Sequence, residues 1–151
     1  MDRCAGNALK RARIAQGITQ EKLAEMSGYS TDAIRAWELG TRQASVPVLE
    51  LLAVCLSAPW LTGVYLREQA AGALDDIVPK FTPGEPLAEA VVRLVNRIYA
   101  FADNHRDRRL LAIAADNVIT PDERREYETI IDELQDIMAA AMELRYCAGG
   151  E

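Results

Sequence analysis

Thr31, Asp32, Arg35 and Ala36 are side chains of the kinds that read a base edge. Threonine can hydrogen-bond a base or touch a thymine methyl, and aspartate can accept from cytosine N4. Arginine reaches guanine O6 and N7 or a phosphate, and alanine offers a methyl contact. Lys10, Gln20, Thr41 and Arg42 are of the types that bond phosphate oxygens. Neither set acts unless a frame aims it. The stretch from Thr19 to Gly40, TQEKLAEMSGYSTDAIRAWELG, supplies one. Leu23, Ala24 and Met26 mark the inner side of one helical pattern. Ile34 and Trp37 mark that of the next, which makes Trp37 a core residue and not a base-stacking one. Thr19 and Ser30 are placed to cap the two helices, and Gly28 supplies the turn between them. Thr31, Asp32, Arg35 and Ala36 then fall on the outward face of the second helix. Asp32 has a second explanation, because an acid in the first turn also favours the helix dipole.

Two short helices with an exposed second one make a helix-turn-helix. In these residues the chain resembles the phage repressor and Cro class, also called lambda-repressor-like or XRE. The blocks that carry the resemblance are LKRAR, GITQEKLAE, AIRAWELG, VLELLAVCL and WLTGV, in order over about the first 66 residues. The resemblance implies a five-helix domain that binds double-stranded DNA. It also implies a buried structural pair between Arg13 and Glu38, tying the first helix to the end of the recognition helix. It favours Gln20 as a phosphate contact at a helix N-terminus. The family usually has proline where this chain has Ala44.

The whole chain is acidic, at −6, which is wrong for a generic polyanion binder. Residues 1–46 nevertheless carry seven Lys and Arg against five Asp and Glu, whereas residues 47–151 carry ten against eighteen. A Debye length of about 8 Å keeps a distant acidic region from cancelling a basic contact face. Site-specific binding therefore stands, and non-specific phosphate binding is weakened. Half the residues are hydrophobic, enough for a core. No long apolar run or hydrophobic leader is present, so no membrane partner and a cytoplasmic location are expected. Cys4, Cys55 and Cys147 are scattered, which makes a disulfide or zinc framework improbable.

Taken in order, the first helix is expected over residues 5–16, with Leu9 inward and Lys10 and Arg11 outward. Beyond Gly40, the loop through Thr41 and Arg42 should run beside the DNA backbone. Ser45 caps a fourth helix over Val48, Leu49, Leu52 and Leu56, and Pro47 sits just inside it. A short fifth helix with Trp60, Leu61 and Val64 closes the bundle. Residues 67–85, with their glycines, prolines and aspartates, read as a linker. From 86 to 145 the pattern is a helical hairpin, with no strand anywhere. Thr120, Pro121 and Glu123 make a strong helix start. Leu87, Val91, Leu94 and Ile98 form one apolar stripe, and Ile130, Leu134 and Ile137 form another. Together they exceed what one hairpin can cover, so a homodimer through this region is expected. The fold class is all-α throughout.

Two apparent sites in the second half fail on their chemistry. DNVITPDE imitates the end of a calcium-binding loop, but Ala112 and Ala114 stand where oxygen ligands are needed. His105 is the only histidine, so neither a metal centre nor a histidine-based triad can be assembled. No cofactor and no catalytic site are expected. Some phage-type repressors cleave themselves with a serine and a lysine, but this chain has no serine beyond Ser57. The leading expectation is a sequence-specific transcriptional regulator, a phage- or prophage-type repressor dimer on a pseudo-palindromic operator, without self-cleavage. Its second half would serve oligomerisation or an antirepressor. The alternative is an antitoxin that autoregulates its operon and masks a toxin with the hairpin. A helical adaptor that no longer reads DNA is the third possibility, disfavoured by the basic residues along the reading edge.

Overall fold

The computed structural model describes residues 7–148. They form eight α-helices and one 3-10 turn, with no strand among the described residues. The chain divides into two compact units between Val78 and Pro79.

The first unit holds α1 (Ala8–Ala15), α2 (Gln20–Ser27), α3 (Thr31–Leu39), α4 (Val46–Cys55) and α5 (Leu61–Gln69). Each buries one apolar face: Leu9 from α1, Leu23 from α2, Ile34 from α3, Leu49 and Leu52 from α4, and Leu61 and Tyr65 from α5. The helices start where side-chain acceptors stand. Asn7, Thr19 and Ser30 accept from the backbone N–H three residues on, at 3.2, 3.1 and 3.2 Å. The part of the expected first helix that precedes Asn7 lies outside the described residues. Ser45 occupies the N-cap of α4 but makes no capping hydrogen bond, and Pro47 lies in the first turn, where its missing N–H costs nothing. Met26 departs from expectation. It is exposed, because α2 turns only Leu23 and Ala24 into the core.

Residues 67–85 are not a free linker. The Arg67 guanidinium bonds the Val78 carbonyl and the Asp75 carboxylate, folding residues 70–78 onto the end of α5. Beyond the division, Phe81 stacks on Tyr146 with ring centroids 5.7 Å apart, and Gly84 N–H donates to the Tyr146 carbonyl at 2.9 Å. The glycines and prolines that suggested slack instead shape turns belonging to one unit or the other.

The second unit is a hairpin with a short helix at its bend: α6 (Leu87–Asp103), α7 (Arg106–Ile113), a 3-10 turn (Ala114–Asp116) and α8 (Pro121–Arg145). Ala90, Ile113, Ile130, Ala139 and Ala140 are its buried centre. Thr120 and Glu123 make a reciprocal capping box at the start of α8. At the open end, Arg93 bridges Glu143 at 2.8 Å and Glu85 at 2.7 Å, so its guanidinium pKa is raised, first by Glu143 and then by Glu85. At the bend, Arg106 forks onto Glu133 and Arg109 pairs with Glu126.

The two apolar stripes do not lie as expected. Ile130 has no exposed surface, and Leu134 and Ile137 are half-buried, because α8 turns this stripe toward its own hairpin. Leu94 is half-buried too, whereas Leu87, Val91 and Ile98 face solvent. Several joints turn through left-handed backbone without glycine: Ser57 after α4, Ala71 after α5, His105 before α7 and Asn117 after the 3-10 turn.

Candidate nucleic-acid interface

The turn between α2 and α3 is built on Gly28, whose φ of +76° lies where a side chain is strained. Gly40, at φ +72°, ends α3 in the same way. Between those glycines, α3 turns Ile34, Trp37 and Glu38 inward. Trp37 meets Tyr29 edge to face, with ring centroids 5.1 Å apart, and belongs to the core.

Glu38 is the anchor of this helix. Its side chain is 1% exposed and that of Arg13 is 12% exposed. Arg13 Nε donates to Glu38 Oε1 at 2.6 Å and Nη2 to Oε2 at 3.0 Å, in the forked geometry that a guanidinium and a carboxylate favour. Arg13 Nη1 also donates to the Ile18 carbonyl at 2.7 Å, tying in the loop before α2. The pair raises the Arg13 pKa, chiefly through the hydrogen bond to Glu38. Gln20 joins the cluster, its Nε2 donating to Glu38 Oε2 at 2.7 Å. One N–H of the Gln20 amide thus bonds a buried carboxylate, which leaves its second N–H and the backbone at the start of α2 for a phosphate. Glu21 beside it has its carboxyl held below the usual range by its own backbone N–H and by the Thr19 hydroxyl.

With that anchor inward, the opposite face of α3 is open. Asp32 and Arg35 are exposed, and Thr31 and Ala36 are half-exposed. Among the described residues, no ion pair engages Asp32, Arg35 or Arg42. The loop after α3 is folded back on the helix end: Thr41 Oγ1 and the Arg42 backbone N–H both donate to the Ala36 carbonyl, at 3.2 and 3.3 Å. Thr41 thus spends its hydroxyl proton within the domain, while the Arg42 side chain is exposed beside α3. Lys10 lies on α1, half-buried.

Two supports escape a reading of local sequence. Tyr65, fully buried on α5, accepts the Ala44 backbone N–H at 3.2 Å and so fixes the far end of the α3–α4 loop. Proline at this position would have no N–H to give, so alanine is the residue that suits a tyrosine here. Glu68 accepts the Ala8 N–H at 2.7 Å and pairs with Arg11, occupying the N-terminus of α1. Both contacts span long stretches of chain, and spacing within one helix carries no trace of them.

The arrangement has a known counterpart. Residues 9–58 match the helix-turn-helix family HTH_3, of the XRE or lambda-repressor-like kind, whereas the second unit lies outside that match. No curated protein and no solved structure matches the chain. No helix among the described residues is long and apolar enough to cross a membrane.

Proposed function

We propose, from a chain whose residues 9–58 are a helix-turn-helix DNA-binding domain of transcription regulators, a phage-type repressor that reads a pseudo-palindromic operator as a dimer. The observation that carries this reading is the two-sidedness of α3. Trp37 and Glu38 are fixed inward, and Asp32 and Arg35 are left exposed and without an ion pair on the other side. Thr31, Asp32, Arg35 and Ala36 enter the major groove. Arg42, Lys10 and the Thr41–Arg42 loop meet the backbone, and Gln20 offers the second N–H of its amide together with the N-terminus of α2. A two-fold dimer presents α3 twice, with half-site centres about one helical turn of DNA apart. With no serine beyond Ser57 the chain lacks the nucleophile of a serine–lysine self-cleaving switch, and release from DNA comes from a binding partner, another protease or dilution.

Base and phosphate contacts fail differently, and that difference is the test. Arg35→Ala should cost about 1–3 kcal/mol on the preferred operator and relax preference at one base pair per half-site. Arg42→Ala should weaken specific and non-specific DNA alike and lower the salt slope by roughly one. The measurement is selection from a randomised operator library at two salt concentrations. An Arg35→Ala variant with unchanged base preference and a reduced salt slope would make Arg35 a phosphate ligand and leave base reading to Thr31 and Asp32.

A further inference from the structure

The α6 helix is apolar on more than the side it packs. Ala90, Leu94 and Phe101 lie toward α8, buried or half-buried. A second strip runs along its solvent side, where Val91 and Ile98 alternate with Ala88, Val95 and Ala102 at spacings of three and four, all exposed. Val92 and Tyr99 widen that strip; they are 58% and 64% exposed. At about 100° per residue the strip covers an arc of roughly 120°, the width that a helix normally buries. It carries no charge at any position. Along one edge only, it is bordered by Glu89, Asn96 and Asp103; along the other, Leu87 and Leu94 lead round to α8.

We infer that this strip is the seam of the dimer, covered by the same strip of a second copy with the two α6 helices parallel. This rests on the dimeric reading above and assigns it a surface. Three features select that occupant. β-Branched Val91, Val95 and Ile98 at heptad spacing suit a two-stranded seam, and Ala88 and Ala102 at its two ends allow close approach. The strip offers no charge for a differently charged partner to complement. The one-sided acidic edge fixes the direction. An antiparallel pair would set Glu89 against Asp103 of the other copy, a like-charge contact that costs affinity. A parallel two-fold sets that edge against the partner's Leu87 and Leu94 side, and puts the N-termini of both α6 helices at the same end.

The size of the seam sets its strength. From Ala88 to Ala102 the strip is about 21 Å long and one helix wide, roughly 200 Å² of footprint per chain. Stable complexes bury roughly 800 Å² per partner, so this contact alone belongs to the weak class. The free protein should therefore exchange between monomer and dimer at micromolar concentration, and an operator that holds both heads should complete the pairing.

The test is sedimentation of the full chain across the micromolar range, with half-site and full-operator binding measured on the same samples. The wild type should show a concentration-dependent dimer. Val95→Glu and, separately, Tyr99→Glu should be monomers with unchanged half-site affinity and at least about a tenfold loss on the full operator. Ala88→Cys should form an interchain disulfide that the wild-type cysteines do not, because each Ala88 faces its own copy. A wild type that stays monomeric at the top of the range, or glutamate variants that dimerise like the parent, overturns the proposal. Should either glutamate unfold the chain, Ala88→Cys decides, and absence of its cross-link overturns the parallel seam. Failure of the wild type to bind any DNA while the dimer persists would instead sink the repressor reading alone.

Discussion

Arg13 holds the recognition helix from beneath with bonds to Glu38 and to the Ile18 carbonyl. Arg13→Ala should leave Glu38 buried with only Gln20 to bond it, and should destabilise the first unit by about 3 kcal/mol. A thermal melt within a degree of the parent would contradict this. Tyr65→Phe strips the acceptor from the Ala44 N–H and leaves that donor buried, which should cost about 1–3 kcal/mol in a denaturant melt. Neither substitution touches the outer face of α3, so base preference should survive both. Residue by residue, what sequence made legible was chemistry that neighbours in the chain express. Thr19 and Ser30 announce themselves as caps because the groups they serve are three positions away. The resemblance named Arg13 and Glu38 together, but an amide such as that of Gln20 suits a phosphate and a carboxylate equally well. Only the fold decides that Glu38 is within its reach.

Among the elements, the start of α8 is the most strongly written. The Thr120 hydroxyl, and after it the Thr120 backbone N–H, hold the Glu123 carboxyl below its ordinary value of 4.5. A carboxylate with a depressed folded pKa adds stability above its unfolded pKa and loses it as pH falls through the folded value. The capping contribution should thus be complete at neutral pH and fade below about 4.5. Melts of Glu123→Gln and its parent should differ at pH 7 and converge in acid; a gap that persists unchanged would show that the carboxylate charge plays no part. Helix α6 marks the limit of what periodicity reveals. Its heptad-like stripe correctly signals an apolar helix, but spacing alone does not say which neighbour covers which side. Folding gave Ala90, Leu94 and Phe101 to α8 and left Val91, Val95 and Ile98 outside. Periodicity is silent on the short α7 because its first turn, RDRR, is all charge; Arg106 and Arg109 reach Glu133 and Glu126 on α8 instead.

For the whole molecule, the position of the division changes how charge is counted. Residues 1–46 look basic, but the first unit runs to Val78 and takes in Glu50, Glu68, Asp75 and Asp76 with only Arg67 to offset them. Glu68 is paired with Arg11 and Asp75 with Arg67. A unit with this balance is not a basic domain, so on the proposed reading attraction to DNA would rest on the placement of a few cations such as Arg42, with little hold on arbitrary DNA. The left-handed joints have a different bearing, on how far this protein stands from its own stability limit. Ser57, Ala71 and His105 each carry a side chain through backbone that costs L residues about 1–2 kcal/mol, against roughly 0.5–1 kcal/mol for the extra chain entropy of glycine. Replacing each by glycine should raise stability by about 0.5 kcal/mol, read as a small upward shift of the melt, whereas Asn117 already tolerates the conformation. A melt lowered by all three would show that these side chains contribute more than their strain removes. If the shifts add, the chain holds a reserve at its corners that engineering could draw on without altering a helix, a buried contact or the reading face.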